Sequence, residues 1–228
     1  MGPHYRIIHG DSYHELDRLE EKLDMVFISP SPPFYDPYGV GSEDNIPDYL
    51  QHLEDICMKI RNVLKDTGAL WVQMGDYHAV NGSMVCTPEM FIIDMIQEGW
   101  ILRSKLIWVR TEMMDLKQDE NNRFKRDWEY LYFFTKTNDY YFDERYAGSS
   151  VILAPYLEPN KETFDSGFPE KLIEVAIKAT CPEGGTVLDC FCGGATTGAV
   201  ALKLGRNFIG IEIDSGKISL INKKLRKL

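Results

Sequence analysis

The chain predicts an α/β fold, a mostly parallel central sheet with helices on both faces. Three observations lead there. Residues 25–29, 69–74, 186–189 and 207–212 are short, nearly continuous apolar runs without alternation, the pattern of strands buried on both faces. Segments of helical periodicity separate these runs, and strands alternating with helices build a parallel sheet. Loops of small residues or prolines follow two of the runs directly, at 30–45 and after Asp189. In open α/β sheets ligands bind beyond the carboxyl ends of the strands, so these loops are the places to search for a site.

Taken in order, residues 5–9 form a short strand and 12–19 a helix. Residues 25–29 form a buried strand that runs into a loop rich in Pro, Gly, Ser and aromatics. Residues 47–64 are helical, with Pro47 at the start and Gly68 beyond the end. The strand 69–74 closes at Gly75-Asp76, and 88–98 is a helix. Residues 100–109 and 128–135 are rich in aromatic and β-branched side chains and form two more strands. Residues 143–166 read as loop and 169–179 as helix. The remainder alternates as strand 186–189, helix 196–204, strand 207–212 and helix 218–225. No internal repeat or low-complexity stretch interrupts this order.

The 228 residues suit one domain, and 44% hydrophobic with 26% charged residues is the balance of a packed core. No apolar run approaches the roughly 18 residues that span a bilayer, and the first residues lack the pattern of a signal peptide. Cys57, Cys86, Cys181, Cys190 and Cys192 are odd in number and irregularly spaced. They match neither a disulfide framework nor a zinc knuckle, so reduced thiols, a cytoplasmic setting and no metal are expected. The net charge of −10 opposes nucleic-acid binding unless basic residues are gathered locally. One such gathering runs from Arg103 through Lys105, Arg110, Lys117, Arg123, Lys125 and Arg126, and a second crowds the C-terminus from Lys217 to Lys227. The C-terminal set also reads as a solvated last helix with cations near its dipole.

Two constellations carry chemistry. In Asp189-Cys190-Phe191-Cys192-Gly193-Gly194-Ala195-Thr196-Thr197-Gly198 a buried strand enters a small-residue loop that opens a helix. Small residues admit a ligand close to the backbone, and the helix start offers free N–H groups. The next strand ends at Glu212, where an acid can accept both hydroxyls of a ribose. The loop lacks the G-x-G-x-x-G spacing of dinucleotide sites, and Asp189 favours a cationic group over a pyrophosphate. An ordinary tight turn between strand and helix is the plainer reading. The second constellation is Ile28-Ser29-Pro30-Ser31-Pro32-Pro33-Phe34. Prolines fix φ and leave carbonyl acceptors without donors. A hydroxyl, a fixed carbonyl and an aromatic ring suit an extruded planar base: the ring stacks, while the oxygens accept hydrogen bonds from the amine and make its nitrogen nucleophilic. A purely structural Pro-rich loop is the alternative.

Together the two constellations resemble the bacterial and phage DNA amino-methyltransferases in the permuted arrangement called class β. Ser31-Pro32-Pro33-Phe34 is similar to their catalytic S-P-P-F/Y tetrapeptide, and Asp189 to Thr197 to their D-P-F-x-G-S-G-T-T cofactor loop. Leu204-Gly205-Arg206 and Ile209-Gly210-Ile211-Glu212 match the following helix end and acidic strand end. Phe168-Pro169-Glu170-Lys171-Leu172 resembles the segment that closes over the methionine. His9-Gly10-Asp11-Ser12 resembles the segment whose Asp lies by the adenine, and Arg126-Asp127-Trp128-Glu129-Tyr130 the later R-D-x-E stretch. The likeness spans nearly the whole chain. It departs at Cys190, Gly194 and Ala195, where the family has Pro, Ser and Gly. Ser29-Pro30 could also occupy the S-P position, which leaves the choice of catalytic serine between Ser31, favoured by Phe34, and Ser29.

The resemblance implies a Rossmann-like methyltransferase fold with circularly permuted motif order. It implies an enzyme that uses S-adenosylmethionine, yields S-adenosylhomocysteine and modifies DNA by base flipping within a restriction-modification setting. Asp11, Phe168, Pro169, Asp189, Phe191, Gly193, Ala195, Thr196, Thr197 and Glu212 are then cofactor residues, and Ser31, Pro32, Pro33 and Phe34 catalytic ones. S-P-P-F/Y goes more often with N4 of cytosine than with N6 of adenine, so cytosine N4 is preferred and adenine N6 is the alternative. No separate recognition domain is expected; residues 111–127 and 144–165 remain for reading DNA, with Arg123, Lys125 and Arg126 as contacts. A solvated loop is the competing reading of 111–127. Family members often pair, and with so small a recognition region both a homodimer and relaxed specificity stay open. Competing functions are a methyltransferase for RNA or protein, a non-catalytic protein of the same fold, and an NAD-binding domain.

Overall fold

In a computed structural model of the protein, residues 2–34, 39–79, 81–111, 124, 126–156 and 168–228 are described. The strands are β1 (Tyr5–His9), β2 (Leu23–Ile28), β3 (Leu64–Met74), β4 (Ile101–Arg110), β5 (Trp128–Thr135), β6 (Val151–Ala154), β7 (Thr186–Asp189) and β8 (Asn207–Glu212). The helices are α1 (Ser12–Glu15), α2 (Ile46–Val63), α3 (Thr87–Gln97), α4 (Glu170–Thr180), α5 (Thr196–Lys203) and α6 (Ser215–Leu225), with short 3-10 turns at Leu16–Arg18 and Glu144–Tyr146.

The eight strands form one sheet in the order β1-β8-β7-β2-β3-β5-β4-β6. Only β5 runs against its neighbours; the other ladders are parallel. The mostly parallel sheet expected from the apolar runs is present, with one reversed strand. The reason the runs are continuous is visible in the two cores. Val26, Ile28, Leu70, Val72 and Tyr132 face α2 and α3, where Tyr49, Leu53, Ile56, Ile60, Phe91 and Met95 pack on them. Their strand neighbours Met25, Phe27, Trp71, Leu131 and Phe133 face α4, α5 and α6, packed by Leu172, Ile177, Val200 and Ile221. Both faces of the central strands β2, β7 and β8 are covered, so nearly every position there wants an apolar side chain.

Local chemistry sets several element ends. Asn45 caps α2, its Oδ1 accepting the Asp48 N–H at 2.9 Å, and Pro47 sits in the first turn. Helix α2 passes into β3 at Leu64, so β3 is longer than residues 69–74 alone predict. Trp71 stacks on Phe133 at 4.7 Å and donates its indole N–H to Thr180 Oγ1 at 2.8 Å, tying the sheet to the end of α4.

One expectation needs correction. Residues 143–166 read as loop, but Val151–Ala154 is an edge strand paired in parallel with the 107–110 stretch of β4. Its exposed Val151 and Leu153 alternate with buried Ile152 and Ala154. Four residues carry too little alternation to stand out, and only the ladder to β4 makes them a strand. Residues 144–165 therefore are not one loop. Among the described residues, no helix is long and apolar enough to cross a membrane. The five cysteines are free thiols, and Cys57, Cys181, Cys190 and Cys192 are buried.

Candidate active site

A cavity of about 440 Å³ opens beyond the carboxyl ends of β2, β7 and β8. The sheet order explains its place. Strand β7 lies between β8 and β2, so the loops after residues 28, 189 and 212 converge although they are far apart in sequence. Asp11, Ser31, Phe168, Asp189, Phe191, Gly193, Thr196, Thr197 and Glu212 all line the cavity. Pro32, Pro33, Phe34, Pro169 and Ala195 are not in its wall. Phe34 is exposed with φ 64°, and Pro169 caps α4. Arg126 is exposed and donates from Nη1 to the backbone oxygen of Asp76. Arg123 and Lys125 lie outside the described residues.

Asp189, the last residue of β7, is only 5% exposed. Its Oδ1 accepts the Phe191 N–H at 3.0 Å and the Thr197 hydroxyl also bonds to it. Burial outweighs these bonds and pushes its pKa up to about 6, with the Glu212 charge adding in the same direction. A buried carboxylate facing an open cavity with so few donors is held ready for a cation. Glu212 ends β8 and is equally buried. Its Oε2 accepts the Gly193 N–H at 2.7 Å, and its Oε1 accepts the Asp214 N–H at 3.0 Å and lies 3.5 Å from Lys217 Nζ.

The loop between these acids is wound tightly. Gly193 and Ala195 have φ of 50° and 55°, and the Ala195 N–H bonds to the Cys192 oxygen at 2.8 Å. The left-handed region is the natural place for glycine and is strained for alanine. The turn still forms with Ala195 in the position where the resemblance expects glycine. Burial drives the Cys190 and Cys192 thiols far above their ordinary pKa, which leaves them neutral packing groups.

On the opposite wall Ser29 and Ser31 follow β2. The Ser31 carbonyl accepts the Tyr49 hydroxyl at 3.1 Å, and burial raises the Tyr49 phenol well above its usual range, so it stays a neutral donor. Ser29 Oγ bonds to Gln73 Oε1 at 2.6 Å. Asp11 caps α1 by accepting the Tyr13 N–H at 2.9 Å, and the Gly10 N–H reaches the Glu212 carbonyl at 3.0 Å. The ring of Phe168 packs edge-on to Phe27 at 5.8 Å and to Trp108 at 5.6 Å. Sequence reasoning missed Gly39, Val40, Ile173, Ile213, Asp214 and Lys217, which also border the cavity. No motif marks the first three; only the proximity of Asp214 and Lys217 to Glu212 hinted at the last ones.

The cavity suits S-adenosylmethionine. Asp189 would face a cationic group, Glu212 the ribose hydroxyls, and Phe168 with Ile211 and Ile213 the flat apolar part. The only metal-like grouping among the described residues lies elsewhere: Asp76, Cys86 and Glu89 bring their ligand atoms within 4.8 Å of one another. These acids are already engaged, Asp76 with the N–H groups of Cys86 and Thr87 and Glu89 with the Tyr130 hydroxyl.

Known proteins agree with this picture. A family model described as DNA methylase, of the N6/N4 type, matches residues 23–223. The type II methyltransferase M.SmaI of Serratia marcescens is 26% identical over 96% of this chain and 90% of its own length. The DNA adenine methyltransferase YhdJ of Escherichia coli K12 is 26% identical over 96% of this chain and 82% of its own. The structure of the PvuII DNA methyltransferase, described as cytosine-N4-specific, superposes with a TM-score of 0.86 at 20% identity, covering all of this chain and 88% of that one. At that identity the superposition speaks for the fold, a Rossmann-like methyltransferase sheet. The chain belongs to the DNA methylase family, the S-adenosylmethionine-dependent amino-methyltransferases of the N4/N6 type.

Proposed function

We propose that the protein is a site-specific DNA methyltransferase acting on N4 of cytosine, built as a single catalytic domain. The observation that carries the reading is the convergence of Asp189, Glu212 and the serines after β2 on one cavity. When bound, S-adenosylmethionine supplies a methyl group activated by the sulfonium charge. Asp189 binds the ammonium of the methionine moiety, Glu212 holds the ribose hydroxyls, and Phe168 closes over the ligand. Asp11, Phe191, Gly193, Thr196 and Thr197 complete the wall. Pro169 starts α4 beneath Phe168, and Ala195 shapes the turn from behind.

The acceptor enters from the β2 side as a base turned out of the duplex. Phe34, exposed beside the cavity, stacks on it. The Ser31 hydroxyl and the carbonyls of the Ser31-Pro32-Pro33 segment accept the amino hydrogens. The nitrogen lone pair, otherwise delocalised into the ring, would thereby be freed to take the methyl group that a bound S-adenosylmethionine would supply, leaving S-adenosylhomocysteine. The extra amino proton leaves to solvent. No protein nucleophile takes part.

Cytosine N4 is preferred because Phe34 completes an S-P-P-F tetrapeptide; the relatives include an adenine enzyme as well as the cytosine-specific fold neighbour. Arg123, Lys125 and Arg126 supply the DNA contacts that an acidic protein needs. The deciding experiment is mass spectrometry of nucleosides from unmethylated duplex DNA treated with the purified protein and S-adenosylmethionine. N4-methylcytosine is the expected product. N6-methyladenine without N4-methylcytosine overturns the choice of base.

A further inference from the structure

A row of polar side chains crosses four strands at the rim of the sheet. Phe27, Trp71, Leu131 and Trp108 belong to one apolar core beneath the rim. Ser29, Gln73, Glu129 and Arg110 each stand two residues nearer the rim on β2's extension, β3, β5 and β4, and so share that face of the sheet. They are joined without a gap. Ser29 Oγ meets Gln73 Oε1 at 2.6 Å, Gln73 Nε2 donates to Glu129 Oε2, and Arg110 Nη2 pairs with Glu129 Oε1. The Arg110 and Glu129 side chains are each 17% exposed, and the guanidinium lies 5.4 and 5.2 Å from the rings of Trp108 and Tyr156.

The chemistry of these groups gives the row a direction. Arg110 can only donate, so Glu129 beside it is an anion that can only accept. Gln73 must then turn its NH₂ toward Glu129, which leaves its carbonyl oxygen toward Ser29. Ser29 in turn must spend its hydrogen on Gln73. Its oxygen lone pairs remain for whatever donor enters the cavity that it lines. A hydroxyl free to rotate would point its hydrogen at the target nitrogen part of the time and compete for the lone pair that must attack.

We infer that Ser29 is a further catalytic residue, an acceptor of the target amine, and that Gln73, Glu129 and Arg110 are positioning residues that lock its hydroxyl in the accepting orientation. The inference rests on the proposed amine methylation. It adds to that reading a hydroxyl with a fixed proton, whereas the described residues give Ser31 a partner only at its carbonyl. The row ends where β4 ends, and the Arg110 N–H bonds to the Asp127 oxygen at 2.7 Å. It thus meets the root of the 111–127 segment proposed to contact DNA.

The test is steady-state kinetics on unmethylated duplex DNA, with calorimetry of S-adenosylmethionine binding and thermal melting as controls. Ser29→Ala and Gln73→Met are expected to lower kcat by about 100-fold, the usual cost of one hydrogen-bonding partner for a transition state, with cofactor affinity unchanged. Gln73→Glu sets two carboxylates against each other, so its kcat should fall with rising pH as their shared proton is lost. The exchange Gln73→Glu/Glu129→Gln restores every donor and acceptor in the row and should regain activity to within a few-fold of the wild type. A Ser29→Ala enzyme within twofold of wild-type kcat overturns the catalytic role. A Gln73→Met enzyme as active as wild type, or an exchange no better than Gln73→Glu, overturns the positioning role. A wild-type protein that transfers no methyl group to DNA removes the proposed function and this inference with it, whereas active wild type with unaffected Ser29→Ala removes the inference alone.

Discussion

Replacing Asp189 by Asn should move cofactor binding and apoprotein stability in opposite directions. The carboxyl is lifted from 3.8 to about 6 by burial. At about 1.4 kcal/mol per pKa unit, ionising it in the folded apoprotein costs at most about 3 kcal/mol. The sign follows from the raised value: this group favours the folded state below pH 3.8 and loses that contribution as pH climbs through about 6. Asn keeps an oxygen for the Phe191 N–H and offers an amide to the Thr197 hydroxyl, but never ionises. The free variant should therefore melt several degrees higher than the wild type at pH 8, given about 2–4 °C per kcal/mol for a chain of this size.

Cofactor binding should respond the other way. A cationic ligand binds the ionised carboxylate, so wild-type affinity should weaken about tenfold for each pH unit below about 6. The Asn variant loses a charge-assisted bond worth about 1.5–3 kcal/mol, or roughly 10- to 150-fold in Kd at pH 8. It should also lose most of the pH dependence. Isothermal titration calorimetry from pH 5 to 8, beside differential scanning fluorimetry of the free proteins, reads both effects. An Asn variant that binds as tightly as wild type with the same pH slope would refute the assignment of Asp189 to a ligand cation.

Two further perturbations test the scaffold and the DNA-binding residues. A Cβ on Gly198 would lie 2.5 Å from the buried Phe208 ring, so Gly198→Ala should lose about 1–3 kcal/mol in urea unfolding despite the better helix propensity of alanine; equal or greater stability would show that the helix shifts freely. Replacing Arg123, Lys125 and Arg126 with Glu should weaken duplex binding at least tenfold by fluorescence anisotropy. The slope of log affinity against log salt should become shallower by about 0.9 for each phosphate that is no longer neutralised. Unchanged affinity would place the DNA elsewhere.

Much of the molecule is legible in the linear sequence because its physics is local or periodic. Strands β5, β7 and β8 begin and end where their apolar runs do. The turn from Asp189 to Thr197 is built from near neighbours and Glu212 ends the next strand, so these two acids of the cavity stand out in the sequence. Pairing in space decided the rest. Strand β6 exists because β4 offers it a ladder, and four residues could not announce that alone. The reversed β5 is recorded in no residue of its own; it shows only in its antiparallel ladders to β3 and β4. The link from Ser29 to Gln73, Glu129 and Arg110 joins four chain segments that only the strand order brings side by side. Hydrogen bonds between such distant residues leave no spacing to read, because their geometry depends on register across the sheet and not on separation along the chain.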